Sequence, residues 1–264
     1  SRLASHPEVF ITRDHDVSSE WAYVEFIPPP EVAQAPAEAD ILAGYAGAVA
    51  ELMGARVPQE APTGWCSWYE LYNRVSEQDV VRNLAAAEQF KPFLPLDRIQ
   101  LDDGWQEKVG DWLPNAKFPR GMEALAREIV HSGFRPGIWM APFVVDPRSR
   151  VAAEHAEWVL RDRRGRPVNA GFIFNRFCWA LDVTHPEVDA WLRETVGRVV
   201  SEWGYDYLKL DFLYAAALPG QRHRSNLTRL EALRGALEAI RSAAGEETFL
   251  LGCGCPLGPA IGIV

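Results

Sequence analysis

The sequence predicts an α/β fold built on a parallel sheet, and within that class a (β/α)8 barrel that is cut short. From Gly64 onward, short apolar strands alternate with longer amphipathic helices, the layout of a parallel sheet covered by helices. Polar residues suited to chemistry follow several different strands, as in a barrel, whereas an open sheet gathers them at one switch point. The G-x-G-x-x-G loop that would favour an open sheet is absent from the sequence.

Five strands are predicted from apolar runs that end in turn residues. The helices between them carry start signals: Ser76 is a candidate N-cap, and Thr184-His185-Pro186-Glu187 has the pattern of a capping box with proline in the first turn. Ser225 is predicted to open the last helix and Gly245 to end it. The predicted strands are 64–68, 98–101, 136–141, 207–212 and 248–252.

The chain is predicted to have three parts. Residues 1–35 carry two strand-like alternations followed by three prolines, which indicates the end of another domain. Residues 36–63 are predicted to be a linker with a helix over 38–53. Residues 64–264 form the partial barrel, with five strands where a barrel has eight and about 200 residues where ~250 are typical. Because the first methionine is Met53, the chain is expected to be a fragment or a processed product.

The composition argues against two classes of partner. A net charge of −9 disfavours nucleic acid, whose binding depends on Lys and Arg meeting phosphates. No apolar run approaches the ~20 residues of a membrane span, and the start lacks a signal-peptide pattern, so no membrane partner is expected. Four scattered cysteines favour a reduced, cytoplasmic setting. Their spacing does not predict a metal site.

The segment 142–184 is unusually long for a connection between a strand and the next helix. Such segments are generally functional or disordered. Its aromatic content favours an ordered lid over the site. The aromatic residues concerned are Trp158, Phe172, Phe174, Phe177 and Trp179.

The chemistry is predicted to centre on Lys209 and Asp211. Two residues apart on a strand, they point to the same face, and an inward charged pair is costly unless it is used. The ammonium would hold the pKa of Asp211 down and keep the carboxylate ionised, as a nucleophile requires. Taken alone, however, a Lys-x-Asp pattern is equally typical of a structural ion pair.

Further candidates lie at other strand ends. Asp102 and Asp103 are acceptor-only carboxylates that suit sugar hydroxyls, although an Asp-Asp-Gly turn is also typical of a solvated loop. Trp68, Tyr69 and Trp139 fit a pocket wall for the apolar face of a pyranose, or alternatively core filling.

Five motifs in this order together resemble family 36 glycoside hydrolases, the microbial α-galactosidases, from Gly64 to the end of the chain. In that family the segment matching residues 1–35 is the end of an N-terminal β-sandwich domain. The five motifs are Gly64-Trp-Cys-Ser-Trp-Tyr69, Gln100-Leu-Asp-Asp-Gly-Trp-Gln106, Pro136-Gly-Ile-Trp-Met-Ala-Pro-Phe143, Tyr207-Leu-Lys-Leu-Asp-Phe212 and Leu251-Gly-Cys-Gly-Cys-Pro-Leu257.

The resemblance implies a cofactor-free retaining α-galactosidase acting on galactose-containing oligosaccharides. It implies that Asp211 is the nucleophile and that Lys209 contacts substrate hydroxyls. The same resemblance assigns the family's acid/base to an aspartate beyond Val264. The other residues to which it gives a substrate-binding role are Asp102, Asp103, Trp68, Tyr69, Trp139 and Cys253.

Three alternatives stay open at this point. The same fold serves α-N-acetylgalactosaminidases and galactosyl transferases, whose acceptor subsites one sequence does not reveal. The chain by itself is also compatible with a non-catalytic sugar-binding fragment. A barrel lacking strands has open edges, so self-association and inactivity of the isolated chain are expected.

Overall fold

The computed structural model describes residues 38–58, 60–173 and 176–264, and it confirms the α/β class. The predicted strand-rich domain at 1–35 and Phe174 lie outside the described residues, so the predictions made for them stay predictions. Among the helices described, none has the length and apolar character to cross a membrane. The α-helices are α1 (Glu38–Met53), α2 (Trp68–Leu71), α3 (Glu77–Phe90), α4 (Met122–His131), α5 (Arg150–Glu154), α6 (Pro186–Gly197), α7 (Arg229–Ala244) and α8 (Leu257–Ala260).

Three sheets organise the strands. The main sheet is parallel and has five strands, while a hairpin and a three-stranded antiparallel sheet flank it. The main-sheet strands are β1 (Gly64–Cys66), β2 (Arg98–Leu101), β5 (Arg135–Met140), β9 (Tyr207–Leu210) and β10 (Phe249–Gly252). The smaller sheets contain β3 (Gln106–Lys108) with β4 (Asp111–Pro114), and β6 (Val144–Val145), β7 (Asn169–Ile173) and β8 (Arg176–Ala180).

The order of strands in the main sheet follows the chain without a reversal: β1, β2, β5, β9, β10. A doubly wound sheet reverses its order at a switch point, and this sheet does not. Helices α3, α4, α6 and α7 occupy the crossovers between successive strands. The carboxyl ends of all five strands therefore lie at the same end of the sheet. Side chains from several strands can meet there and form a site.

The central strands are buried because both faces of the sheet are covered. Ile99, Ile138 and Leu208 are inaccessible to solvent. Ile99 pairs in register with a residue of β5, and Ile138 pairs with Leu208 on β9. Burial of such a side chain stabilises the fold by roughly 1.5–3 kcal/mol. Helix α4 covers this core with a 3.6-residue stripe that includes Leu125 and Ile129.

Two helix starts differ from the prediction. The last long helix begins after Thr228, whose side chain forms a capping box with Glu231, and not at Ser225. The helix that starts at Pro186 is capped by His185, because the Thr184 hydroxyl is engaged by Asp182 instead. The caps at Ser76 and Gly245 are confirmed.

Two predicted strands extended two residues too far at their carboxyl ends. Strand β1 stops at Cys66, and the chain turns into helix α2 at Trp68. Strand β9 stops at Leu210, and two residues later Phe212 has a left-handed backbone with φ 54°. Both changes occur where candidate site residues lie.

Candidate active site

Backbone hydrogen bonds continue past the strand ends and set the positions of the candidate residues. The amide of Asp211 donates to the Met140 carbonyl at 2.8 Å, and the amide of Cys253 donates to the Leu210 carbonyl at 2.8 Å. At the other side of the sheet, the Asp102 amide donates to the Ser67 hydroxyl at 2.9 Å. The candidate residues thus lie at the carboxyl end of the sheet, on backbone that is fixed by hydrogen bonds.

Asp102 and Lys209 form an ion pair across the intervening strand β5, with Nζ 2.7 Å from Oδ2. The same oxygen accepts a hydrogen bond from Gln100 Nε2 at 2.7 Å. Burial favours the neutral amine, but the hydrogen bond and the charge of Asp102 outweigh it, so the pKa of Lys209 lies above its usual value. The sequence placed this ammonium beside Asp211, whereas the ion pair it forms is with Asp102.

Asp211 is held by neutral donors. Trp139 Nε1 donates to its Oδ2 at 3.1 Å, and the Phe212 amide donates to its Oδ1 at 2.8 Å. Phe212, which supplies this amide, itself has a left-handed backbone with φ 54°. Such a conformation costs a non-glycine residue about 1 kcal/mol or more and is typical of functional sites.

Asp103 is 2% exposed and borders a cavity of about 200 Å³. Gln106 Nε2 donates to its Oδ1 at 2.6 Å. Burial raises the pKa of Asp103 to about 6; the charge of Asp102 adds to the rise, and the hydrogen bond from Gln106 opposes it. The carboxyl is therefore poised to change charge near pH 6.

The aromatic candidates divide into two groups. Trp139 is fully buried and contacts Asp211 through its indole, while its carbonyl accepts a hydrogen bond from Trp105 Nε1 at 2.9 Å. Trp68 is half-buried and meets Tyr72 edge to face at 5.2 Å. Tyr69 is 82% exposed. The structure therefore joins Trp139 to the carboxylate, and it places Trp68 and Tyr69 on the outer helix α2.

Cys253 is half-buried directly after β10. Burial, together with the negative charge of Asp211, raises the pKa of its thiol. The side chain is thus a neutral thiol near the candidate nucleophile.

The long segment 142–184 is ordered where it is described, and it reaches the site. It folds into β6, β7 and β8, and the Tyr214 hydroxyl donates to the Ala170 carbonyl at 2.6 Å. Arg176 on β8 forms an ion pair with buried Asp146, and both border the cavity beside Asp103. Sequence analysis missed both residues, because nothing local distinguishes them from surface charges.

One further group in the described part of the chain has three potential metal ligands. The donor atoms of His155, Glu157 and Glu187 lie within 4.8 Å of one another. None of the three borders the cavity at Asp103. Both carboxylates are exposed, and exposed acidic groups commonly occur without a metal ion.

The chain is similar in sequence and in structure to known proteins. The Melibiase family model matches residues 57–234. The α-galactosidase TtGalA from Thermus thermophilus, solved in complex with stachyose, is 42% identical with a TM-score of 0.77, over 87% of this chain and 47% of that one.

Curated relatives are more distant in sequence. Alpha-galactosidase AgaA of Geobacillus stearothermophilus is 28% identical over 190 residues, which is 67% of this chain and 25% of that protein. Alpha-galactosidase 2 of Pediococcus pentosaceus is 30% identical over 165 residues, 60% of this chain and 22% of its own length. The chain thus spans about a quarter of the length of these relatives. On the strength of the family match across most of its length, the chain belongs to the Melibiase family.

Proposed function

We propose that the chain is the first part of the catalytic barrel of a retaining α-galactosidase, with Asp211 as its nucleophile. The observation that carries the proposal is a fixed carboxylate, Asp211, that directly follows the strand carrying Lys209, whose ion pair with Asp102 reaches across β5 to β2. Membership of the Melibiase family and the α-galactosidases among its relatives support it. The strand order supports the barrel, since each strand is added next to the previous one.

In the proposed mechanism Asp211 attacks the anomeric carbon of a terminal α-galactosyl group. A bond forms between a carboxylate oxygen of Asp211 and that carbon as the bond to the leaving oxygen breaks. A second carboxyl group protonates the leaving oxygen, and a water that the same group deprotonates then releases galactose with retained configuration. The resemblance to family 36 assigns this acid/base to a segment after Val264.

The residues around the nucleophile have separate roles. Trp139 Nε1 and the Phe212 amide fix the carboxylate of Asp211, so that little reorganisation accompanies attack. Asp102 and Asp103 accept hydrogen bonds from sugar hydroxyls, for which acceptor-only groups are suited. Lys209 donates a hydrogen bond to a sugar hydroxyl through an ammonium proton that does not bind Asp102. Trp68, Tyr69 and Cys253 are proposed to border the sugar.

Hydrolysis of an aryl α-galactoside by the full-length protein tests the proposal, with the matching β-galactoside as control. We expect turnover of the α-anomer alone. Proton NMR of the first product should show α-galactose before mutarotation. First formation of β-galactose, or no turnover, would contradict the proposal. Products longer than the substrate would instead indicate transfer to an acceptor sugar.

The open edges of the main sheet lead to a related proposal. Strands β1 and β10 lie at its two edges, and parallel edges of this kind pair with further strands. We propose that the 264-residue chain alone self-associates and lacks activity. Size-exclusion chromatography with light scattering checks this, and a monomer that hydrolyses the aryl galactoside would contradict it.

A further inference from the structure

The turn that carries Asp103 packs directly against the segment that follows helix α2. Gly104 has φ +114°, and a Cβ at this position would lie 2.6 Å from the Asn73 carbonyl oxygen. The two backbones are therefore in contact. The relative position of Asp103 and of the aromatic helix α2 depends on this crossing.

The loop after β4 ties both segments together. Asn115 Nδ2 donates to the Gly104 carbonyl at 2.8 Å and to the Gln106 carbonyl at 3.0 Å. Lys117 Nζ donates to the Asn73 carbonyl at 2.7 Å. The Asn115 side-chain oxygen accepts a hydrogen bond from the Lys117 amide at 2.9 Å, which couples the two contacts.

Lys117 also borders the cavity of about 200 Å³ into which Asp103 faces. Two other charged groups at this cavity already have partners: Glu107 pairs with Arg150, and Asp146 pairs with Arg176. Asp102 lies behind Asp103 and pairs with Lys209. The remaining titratable groups that border the cavity are Lys108 and Cys178.

We propose that Lys117 is a positioning residue for Asp103, which holds the Asn73 backbone against the Asp103 turn and balances the charge of the Asp103 carboxylate. The inference deepens the proposed function and rests on it, because it concerns the same sugar-binding carboxylate. Lys117 acts through Asp103 and Asn73.

The electrostatics agree with this geometry. Burial raises the pKa of Asp103, and the ammonium of Lys117 lowers it. Burial likewise lowers the pKa of Lys117, while the carboxylates of Asp103 and Asp79 raise it. Without this ammonium, Asp103 would ionise at a higher pH and accept sugar hydroxyls over a narrower range.

Three variants of the full-length protein separate the charge from the structural tie. Lys117→Gln keeps a donor for the Asn73 carbonyl without the charge, Lys117→Met removes both, and Lys117→Arg keeps both. Lys91→Met is the matched control, because Lys91 also donates to a backbone carbonyl, that of Gly133, and does not border the cavity.

The measurement is kcat and KM for an aryl α-galactoside between pH 4 and pH 8. For Lys117→Gln and Lys117→Met we expect the acidic limb of kcat/KM to move up by about one pH unit, a tenfold loss on that limb that appears mainly in KM. Lys117→Met, which also loses the contact with Asn73, should in addition raise KM across the whole pH range. Lys117→Arg and Lys91→Met should keep the wild-type limb. A Lys117→Gln protein that is folded by circular dichroism and keeps the wild-type limb would overturn the inference.

A second readout keeps the inference separate from the proposed function. The pKa of Asp103 can be followed by carboxyl 13C NMR in the wild type and in Lys117→Gln, without any substrate. A wild type that lacks turnover overturns the function, while the NMR titration still tests Lys117. An unchanged Asp103 pKa in the variant overturns the inference even if the enzyme is active.

Discussion

The two ends of the main parallel sheet are both rich in charge, but they satisfy that charge differently. At the amino end, Arg98 donates to Asp97 at 2.9 Å and to Asp206 at 3.5 Å, and Arg135 also pairs with Asp206. These four charged side chains each meet an opposite charge. At the carboxyl end Asp102 is likewise paired, with Lys209, but Asp211 is held by an indole and an amide, and Asp103 by the amide group of Gln106.

This difference supports the proposed site at the carboxyl end, whereas cavity size alone would favour the amino end. The larger cavity, about 960 Å³, lies at the amino end beside Arg98 and Arg135, whereas the cavity at Asp103 measures about 200 Å³. Barrel enzymes carry their chemistry at the carboxyl face. A carboxylate held by neutral donors keeps its charge available for a substrate. The charge of a carboxylate paired with arginine is largely neutralised by that partner.

The largest expected effect is at Asp211. Asp211→Asn keeps the acceptor for Trp139 but removes the nucleophile, so kcat should fall by about 10⁴-fold with little change in thermal stability. Steady-state kinetics and a calorimetric melt of the full-length protein check this. Activity within tenfold of wild type would exclude Asp211 as the nucleophile.

Removal of the cation at the carboxyl end comes next. Lys209→Met leaves the carboxylate of Asp102 buried without its partner, which should lower the free energy of unfolding by roughly 3 kcal/mol. Urea denaturation measures this loss. The double variant Asp102→Asn with Lys209→Met should recover part of it, and strict additivity of the two changes would argue against the pair.

Substitution of Asp103 should change the free energy of unfolding in the opposite direction. Its folded-state pKa of about 6 exceeds the ordinary 3.8, so the native state binds the proton more tightly than the unfolded chain. The contribution of Asp103 to the free energy of unfolding therefore falls as the pH rises from about 4 to about 6. The resulting destabilisation is fully present at pH 7. Asp103→Asn should raise the free energy of unfolding at pH 7 by up to roughly 3 kcal/mol while weakening substrate binding. A variant equally stabilised at pH 4 and pH 7 would refute the linkage.

The smallest effect is expected at the amino end. Asp206 has a side chain 33% exposed, so Asp206→Asn should cost about 1 kcal/mol of stability or less and leave kcat/KM unchanged. A melt in low and high salt should show that the difference shrinks as salt screens the pair. A marked loss of kcat/KM would mean that the two ends are not functionally distinct.

The strands were predictable because a buried strand appears in the sequence as a short local run of apolar residues. The partner of Lys209 was not, since strand alternation shows which side chains share a face and not which residue of another strand meets them. Asp102 lies 107 residues away in sequence, and only the order of the strands brings it to Lys209.

The same limits apply to the helix starts and to the loop residues. Ser225 and Thr228 are equally good N-cap residues, and the glutamate three positions after Thr228 decides between them. Lys117 and Arg176 resemble ordinary surface cations in the sequence. Their place at the cavity follows from the loop after β4 and from the β7–β8 hairpin, which approach it from different parts of the chain.

The backbone at Phe212 has a consequence for how the site can evolve. Because the donor to Asp211 is a main-chain amide, this hydrogen bond constrains the backbone conformation at position 212 and not its side chain. Glycine or asparagine adopts φ 54° at low cost, and β-branched residues do not. A saturation library at position 212 should therefore retain active clones with glycine and asparagine and lose those with valine and isoleucine. Mutational tolerance beside the proposed nucleophile would then follow the Ramachandran map.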